Sequence, residues 1–311
     1  SRNLTLKEFD FLGLGYYPSN AYMTAALKNN GVDLTLCEQL GYIRSNKDSK
    51  LLDDRIVGYW HQDDGSVRLW GRGLKPVSKY YPKYCFYSHA ENPMSKSIPY
   101  RYRPSNRPLL IVEGALDADT LKLLGYNGAA IGGAGLNPEQ AKHLVKTDCN
   151  KIVHITDSDR AGINGSIATI KNALPLGIAV SVSALGRGMD DVDALRQKGD
   201  EDAVAKVISS SIPAPEYMAN IVASSYFDSS LIEYRQKIET IIDSIDSVNL
   251  ARYKNRLKQL GVLGDEKADA ALMYANLIRS GLDSSICNQL VSNKYGCSVS
   301  LSAVEKEAQL N

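Results

Sequence analysis

The stretch KIVHITDSDRAG, residues 151–162, decides the fold. A short β-branched run, 151–156, stops at an acid pair, Asp157 and Asp159, and helical spacing takes over from 160 to 173. The same grammar extends to both sides. LLIVEG at 109–114 is an apolar strand ending in Glu113 and Gly114, followed by a predicted helix over 115–124. A strand at 128–131 runs into Gly132–Gly133–Ala134–Gly135, and a helix follows at 137–146 with Asn137 as its cap and Pro138 in its first position. A strand at 178–184 leads to Asp191 and Asp193.

Repeated β-α units of this length predict a mainly parallel sheet with helices on both faces. The strand C-termini of such a sheet share one edge, where ligands bind. Glu113, Asp157, Asp159 and Asp191 or Asp193 would therefore converge from distant parts of the sequence, and Asp117 belongs to the same ordered series, EG(x2)D … DxD(x2)G … DxD. Carboxylates gathered at one edge repel unless cations neutralise them. The set is all oxygen, with no histidine or cysteine, which points to Mg²⁺ or Mn²⁺ and to phosphoryl transfer. One DxD alone would be an ordinary solvated pair, and Asp119 reads as such a surface or cap residue. The ordered series is far more specific. The glycine-rich run at 132–135 admits two readings, backbone amides facing a phosphate or simply a tight turn.

Outside this segment the chain changes character. Residues 1–107 read as mixed α+β, with helices at 19–29 and 34–40 and a hairpin of strands 55–61 and 66–71 around Asp63–Asp64–Gly65. From Arg55 to Arg107 there are 10 Lys/Arg against 3 acids, whereas residues 108–195 hold 7 Lys/Arg against 10 acids. A basic segment followed by an acidic one suits a polyanion lying on the first with cations in the second. Tyr80, Tyr81, Tyr84, Phe86 and Tyr87 read as core aromatics of a mixed sheet rather than a base-stacking groove. After residue 200 strand signals vanish, and helical spacing fills 216–225, 230–245, 250–260, 267–279 and 284–292. The expected divisions are 1–107, 108–200 and 201–311.

The chain has 311 residues, 44% hydrophobic and 23% charged, as in an ordinary globular protein. No apolar stretch reaches the ~18 residues of a membrane span, and residues 1–12 lack a signal-peptide pattern, so a cytoplasmic location and no membrane partner are expected. Five scattered cysteines without a CxxC argue against a disulfide framework. Cys85 and His89 are spaced like half a zinc site, but no second pair accompanies them, so no zinc is expected.

The set Glu113–Gly114, Asp117, DSDRAG at 157–162 and DVDALRQKG at 191–199 resembles the TOPRIM domain, and the DSDRAG run is closest to the bacterial primase form. LGLGYYP at 12–18, DDRIVGYWHQDDGSVRLWGRGL at 53–74 and SKYYP at 78–82 resemble the RNA-polymerase core of DnaG-type primases upstream of that domain. The resemblance implies an α/β + α architecture: a mixed N-terminal subdomain, a TOPRIM parallel sheet and a C-terminal helical subdomain. It implies catalytic acids at Glu113, Asp157 and Asp159, with Asp117, Asp191 and Asp193 completing the metal-site acids. Arg55, Arg72 and Lys79 would bind nucleotide or nucleic acid.

The implied activity is DNA primase: nucleotidyl transfer with Mg²⁺ or Mn²⁺ that joins ribonucleoside triphosphates on a single-stranded DNA template, leaving an RNA–DNA hybrid. A replicative helicase is an expected partner. Two alternatives remain open on sequence grounds, a strand-cleaving TOPRIM nuclease or topoisomerase fragment and a non-catalytic replication-docking module. The tyrosine and proline at 81–82 depart from a cellular primase pattern and suggest a phage, plasmid or mobile-element origin.

Overall fold

The structure is a computed structural model; it describes residues 4–44, 52–79, 81–86, 94–185, 192–197, 201–262, 273–274, 277 and 282–295. By density of contacts the chain forms two units, residues 1–211 and 212–311. No described helix is long and apolar enough to cross a membrane.

The first unit opens with helix α1 (Leu6–Leu12), started by a capping box that sequence reading passed over: Thr5 Oγ1 accepts from the Glu8 amide while Glu8 reaches back to the Thr5 amide at 2.7 Å. Strand β1 (Gly15–Tyr17), helices α2 (Asn20–Asn29) and α3 (Leu34–Gln39), and strands β2 (Arg55–His61), β3 (Val67–Gly73) and β4 (Tyr84–Phe86) follow. The four strands pair antiparallel in the order β1-β2-β3-β4, so the expected hairpin is its centre. Gly65 closes its turn at φ 79°, where a side chain would be strained.

The second sheet holds β5 (Leu109–Val112), β6 (Gly128–Ala130), β7 (Lys151–Thr156) and β8 (Ala179–Ala184), all parallel and ordered β6-β5-β7-β8 within this unit. The residues of β5 and β6 are buried throughout, as continuous apolar strands covered on both faces must be. Helices α4 (Ala115–Leu123), α5 (Pro138–Lys146), α6 (Arg160–Ala173), α7 (Val192–Gln197) and α8 (Glu201–Ser209) complete the unit. The predicted boundary at residue 200 differs from the contact division, because α8 packs against β7 and β8 and gives Ala203, Val204 and Val207 to their core.

One hydrophobic cluster joins the two sheets. Trp60, Trp70 and Tyr100 meet edge-on or tilted, at ring separations of 5.4–5.5 Å around Tyr100, and share their core with Leu110, Val112, Val153 and Ile155. Gly58 makes this possible, since a Cβ there would stand 2.7 Å from the Trp70 ring.

Asp119 departs from the sequence expectation. It is buried rather than solvated, 2.7 Å from the Arg101 guanidinium and capped by the Tyr100 hydroxyl, while Arg101 also donates to the Leu12 carbonyl and ties α1 to α4. Residue 119 falls on the inner face of α4 beside the strand core, and a carboxylate there survives because a cation accompanies it.

The second unit contains α9 (Ala214–Ser224), α10 (Ile232–Ile242), α11 (Ser247–Gln259) and α12 (Ser284–Tyr295) among its described residues. Met218, Ile238, Ile241, Tyr253 and Leu257 bury its apolar faces. The expected helix at 267–279 lies mostly outside the described residues.

Burial raises the Asp119 carboxyl to about 6, despite Arg101. A folded-state value above the unfolded one means that this group favours the folded chain most at low pH, and that the contribution is lost as pH rises from about 4 through 6. Chemical denaturation across pH 4–7 is expected to show that loss in the wild type. Asp119→Asn should remove this part of the pH dependence and lower stability at pH 7, where Arg101 is left without its anion.

Candidate functional site

The strand order places a topological switch point between β5 and β7: the chain leaves β5 towards β6 on one side and returns as β7 on the other. Both strands end in acids. Their loops are tied down by pairing that continues past the strands, with the Gly132 amide on the Glu113 carbonyl at 3.1 Å and the Leu185 amide on the Thr156 carbonyl at 2.8 Å.

At this edge a cavity of about 190 Å³ is lined by Glu113, Asp117, Asp157 and Asp159, together with Gly114, Lys83, Tyr84, His154 and Thr156. The four carboxylates come from two β-α junctions 40 residues and more apart in sequence, so their meeting is a product of topology. Asp191 lies outside the described residues, as does the side chain of Asp193.

Local geometry explains the motif. Gly114 is the N-cap of α4, and a Cβ there would stand 2.4 Å from an Asp117 oxygen. The glycine after Glu113 therefore lets the Asp117 carboxylate turn back towards the strand end. Asp159 caps α6, its Oδ1 accepting from the Gly162 amide at 2.8 Å. A Cβ on Gly162 would lie 2.0 Å from the Asp157 carbonyl oxygen, so only glycine allows the first turn of α6 so close to the end of β7.

The glycine-rich run after β6 serves the fold in most of its positions. Gly132 takes φ 65° and abuts Trp60, whereas Gly135 lies against Gly165 of α6. A Cβ on Gly165 would meet the Ala134 carbonyl at 1.9 Å. Only Gly133 has open space around it.

The basic residues divide into distinct environments. Arg72 lies 4.8 Å over the Tyr84 ring, and its Nη1 is buried without a hydrogen-bond partner among the described residues. Tyr84 in turn lines the acid cavity, so Arg72 sits one ring behind it. Lys79 is exposed. Arg55 is 1% exposed; it donates to the Pro82 carbonyl at 2.9 Å and lies over Tyr81, holding the β2–β3 edge to the 81–82 segment.

Two cations beside the acids were not singled out from sequence. Lys83 lines the cavity. Lys96 donates to the Gly132 carbonyl at 2.7 Å and covers the Phe86 ring. Burial pulls the Lys96 ammonium below the ordinary lysine range and the Glu113 carboxylate draws it part of the way back. Both lie in the aperiodic basic stretch, where spacing distinguishes no lysine from its neighbours.

Among the described residues no three acid, histidine or cysteine groups form a ready metal cage. Magnesium does not require one, since it keeps water and is held by one or two carboxylates plus substrate phosphates. Four oxygen-only donors around one cavity fit that mode. His154 also stands on the cavity wall, its Nδ1 buried with no hydrogen-bond partner among the described residues. Cys85 is buried beside Tyr17 and Leu52, and His89 lies outside the described residues.

Residues 110–195 match the family described as Toprim-like. The DNA primase of Rickettsia typhi is 28% identical over 233 residues, 68% of this chain and 37% of that protein. The RNA polymerase domain of Mycobacterium tuberculosis primase DnaG superposes with a TM-score of 0.67 at 18% identity, covering 83% of this chain and 88% of that one. A DnaG primase catalytic domain bound to single-stranded DNA gives 0.65 at 19% identity, covering 86% and 88%. The chain thus has the fold of a DnaG catalytic core with a TOPRIM domain, and it spans little more than a third of the length of the curated relative.

The glycine geometry yields a graded test. Gly133→Ala should leave thermal stability within about 0.5 kcal/mol of wild type. Gly162→Ala and Gly165→Ala, which drive a methyl into backbone oxygens, should each cost about 2–3 kcal/mol or more by denaturant titration.

Proposed function

We propose that this chain is a DNA primase catalytic core that joins ribonucleoside triphosphates on single-stranded DNA. The observation that carries the reading is the meeting of Glu113, Asp117, Asp157 and Asp159 around one cavity at the switch point of the parallel sheet. The relatedness to primases, and the single-stranded DNA bound by one of the structural neighbours, support the choice of polymerisation over strand cleavage.

In the proposed reaction the 3′-hydroxyl of one ribonucleotide attacks the α-phosphorus of the next, and pyrophosphate leaves. Glu113, Asp157 and Asp159 would hold the divalent ions, with Asp117 and, from the third acid pair, Asp191 and Asp193 completing the charge. Bound there, Mg²⁺ supplies activation of the hydroxyl and neutralisation of phosphate charge. Lys83 and Lys96 flank the acids and would meet triphosphate oxygens. The buried Nη1 of Arg72 is a donor in search of an acceptor, and a phosphate on the Tyr84 side would provide one. Lys79, exposed on the same basic segment, would hold nucleic-acid backbone. Arg55, enclosed by Pro82 and Tyr81, would act by fixing the segment that carries Lys79 and Lys83.

Incubation with single-stranded DNA, four ribonucleotides and Mg²⁺ is expected to give short RNA products; nicked DNA in their place would refute the reading. Asp157→Asn and Asp159→Asn should each reduce primer synthesis at least a hundredfold while keeping the circular dichroism spectrum. Retention of a tenth of wild-type synthesis in either would remove the acids from the mechanism.

Replacing Arg72 or Lys79 with Ala should weaken single-strand binding irrespective of sequence. Each loss should flatten the slope of log affinity against log salt by about 0.7. Fluorescence anisotropy at four salt concentrations measures both quantities, and wild-type slopes in both variants would mark these residues as ordinary surface charge.

A further inference from the structure

The wall of the acid cavity contains a group for which the reaction outlined above has no use. His154 belongs to β7, three residues before Asp157, and is 1% exposed. Strand alternation puts it on the same face as Thr156, opposite Val153 and Ile155, which point into the core shared with α4 and α8. Thr156 faces Gly162, since a Cβ there would stand 2.6 Å from its Oγ1. The His154–Thr156 face is therefore turned towards the first turn of α6. Both residues line the cavity, opposite Ala134, Ala161 and Gly162.

Neither has its hydrogen-bonding capacity met. His154 Nδ1 has no partner among the described residues, and the contact of Thr156 Oγ1 with the Asp157 carbonyl is long, 3.5 Å. Burial holds the imidazole down to about 4, so His154 is neutral near pH 7, one ring nitrogen bearing hydrogen and the other a lone pair. Buried polar groups of native proteins almost always find a partner, often an ordered water. A water needs room and two to four polar neighbours. The cavity, with its His154 and Thr156 wall and its carboxylates, provides both.

We propose that His154 is a positioning residue: with Thr156 it holds a buried water that hydrogen-bonds the carboxylates of the cavity and orients them for a divalent cation. This rests on the metal-dependent reading of the site. The water links β7 to the acids that follow it, so the acids meet the ion already aligned. Groups standing behind metal ligands in this way commonly tune metal affinity by about 10–100-fold.

The test compares His154→Phe, which keeps ring volume and removes both nitrogens, with His154→Asn, whose amide places a polar atom near the Nδ1 position. Free Mn²⁺ is counted by electron paramagnetic resonance during titration of the full chain, a readout independent of synthesis. Asp157→Asn serves as the metal-site control, and thermal melting without metal checks that each variant is folded. The expected result is about tenfold weaker Mn²⁺ binding in His154→Phe, recovery to within about threefold of wild type in His154→Asn, and unchanged single-stranded DNA affinity in both.

Mn²⁺ binding in His154→Phe equal to wild type overturns the proposal, as does an equal loss in the Asn and Phe variants. If wild type binds no Mn²⁺, the metal reading of the cavity fails and the proposal fails with it. If wild type binds Mn²⁺ with the stated His154 dependence yet makes no RNA, the positioning role stands and the primase reading alone is lost.

Discussion

The contact on which the site depends is the one between the first turn of α6 and the end of β7. Gly162 approaches the Asp157 carbonyl so closely that a methyl group would fall 2.0 Å from its oxygen. That approach lets Asp159 cap the helix while Asp157 stays at the strand end, so one short turn delivers two carboxylates to the cavity. A second close approach, Gly165 against the Ala134 carbonyl, locks the same helix to the loop after β6. Close packing of this kind transmits strain rather than absorbing it, so the acids inherit their placement from backbone geometry.

The second constraint is the aromatic cluster of Trp60, Trp70 and Tyr100. It belongs at once to the antiparallel sheet and to the core of the parallel one. Strand β4 brings Tyr84 and Phe86 against that cluster, and the same short stretch presents Tyr84 and Lys83 to the cavity. The basic and acidic halves of the first unit are thereby fixed relative to each other by apolar burial, to which the buried Arg101–Asp119 ion pair adds a charged tie.

Much of this was readable from the sequence, for identifiable reasons. Buried parallel strands read as short apolar runs, and the acids at their ends stood out because LLIVEG and KIVHITDSD stop abruptly at charge. Strand β1 and helix α1 went unread although Thr5 and Glu8 spell a capping box, because α1 is only seven residues long and carries one buried side chain, Leu12. Asp119 reads as a surface acid in the sequence because its partner, Arg101, lies 18 positions away in a stretch without periodicity. Arg55, Lys83 and Lys96 show the same difficulty. Sequence reveals that the segment is basic, but only the fold separates an arginine stacked on Tyr81 from lysines beside Glu113. The burial of His154 was hidden for another reason: one polar residue in an apolar strand leaves the hydrophobic pattern intact.

Collecting four carboxylates in one cavity carries an electrostatic cost that the fold reduces before any cation arrives. Asp159 is the N-cap of α6, and Asp117 lies in the first turn of α4. Negative charge at a helix N-terminus is favoured by about 0.3–1 kcal/mol through the unsatisfied amides and the aligned peptide dipoles. The two helices that follow β5 and β7 both begin at the switch point, because a parallel β-α fold starts every such helix at the same edge of its sheet. The topology that brings the acids together therefore also aims two positive helix ends at them. Lys83 on the cavity wall and Lys96, which feels the Glu113 carboxylate, add cationic charge from the basic segment, so the acids are met by positive potential from both the helix ends and the flanking chain.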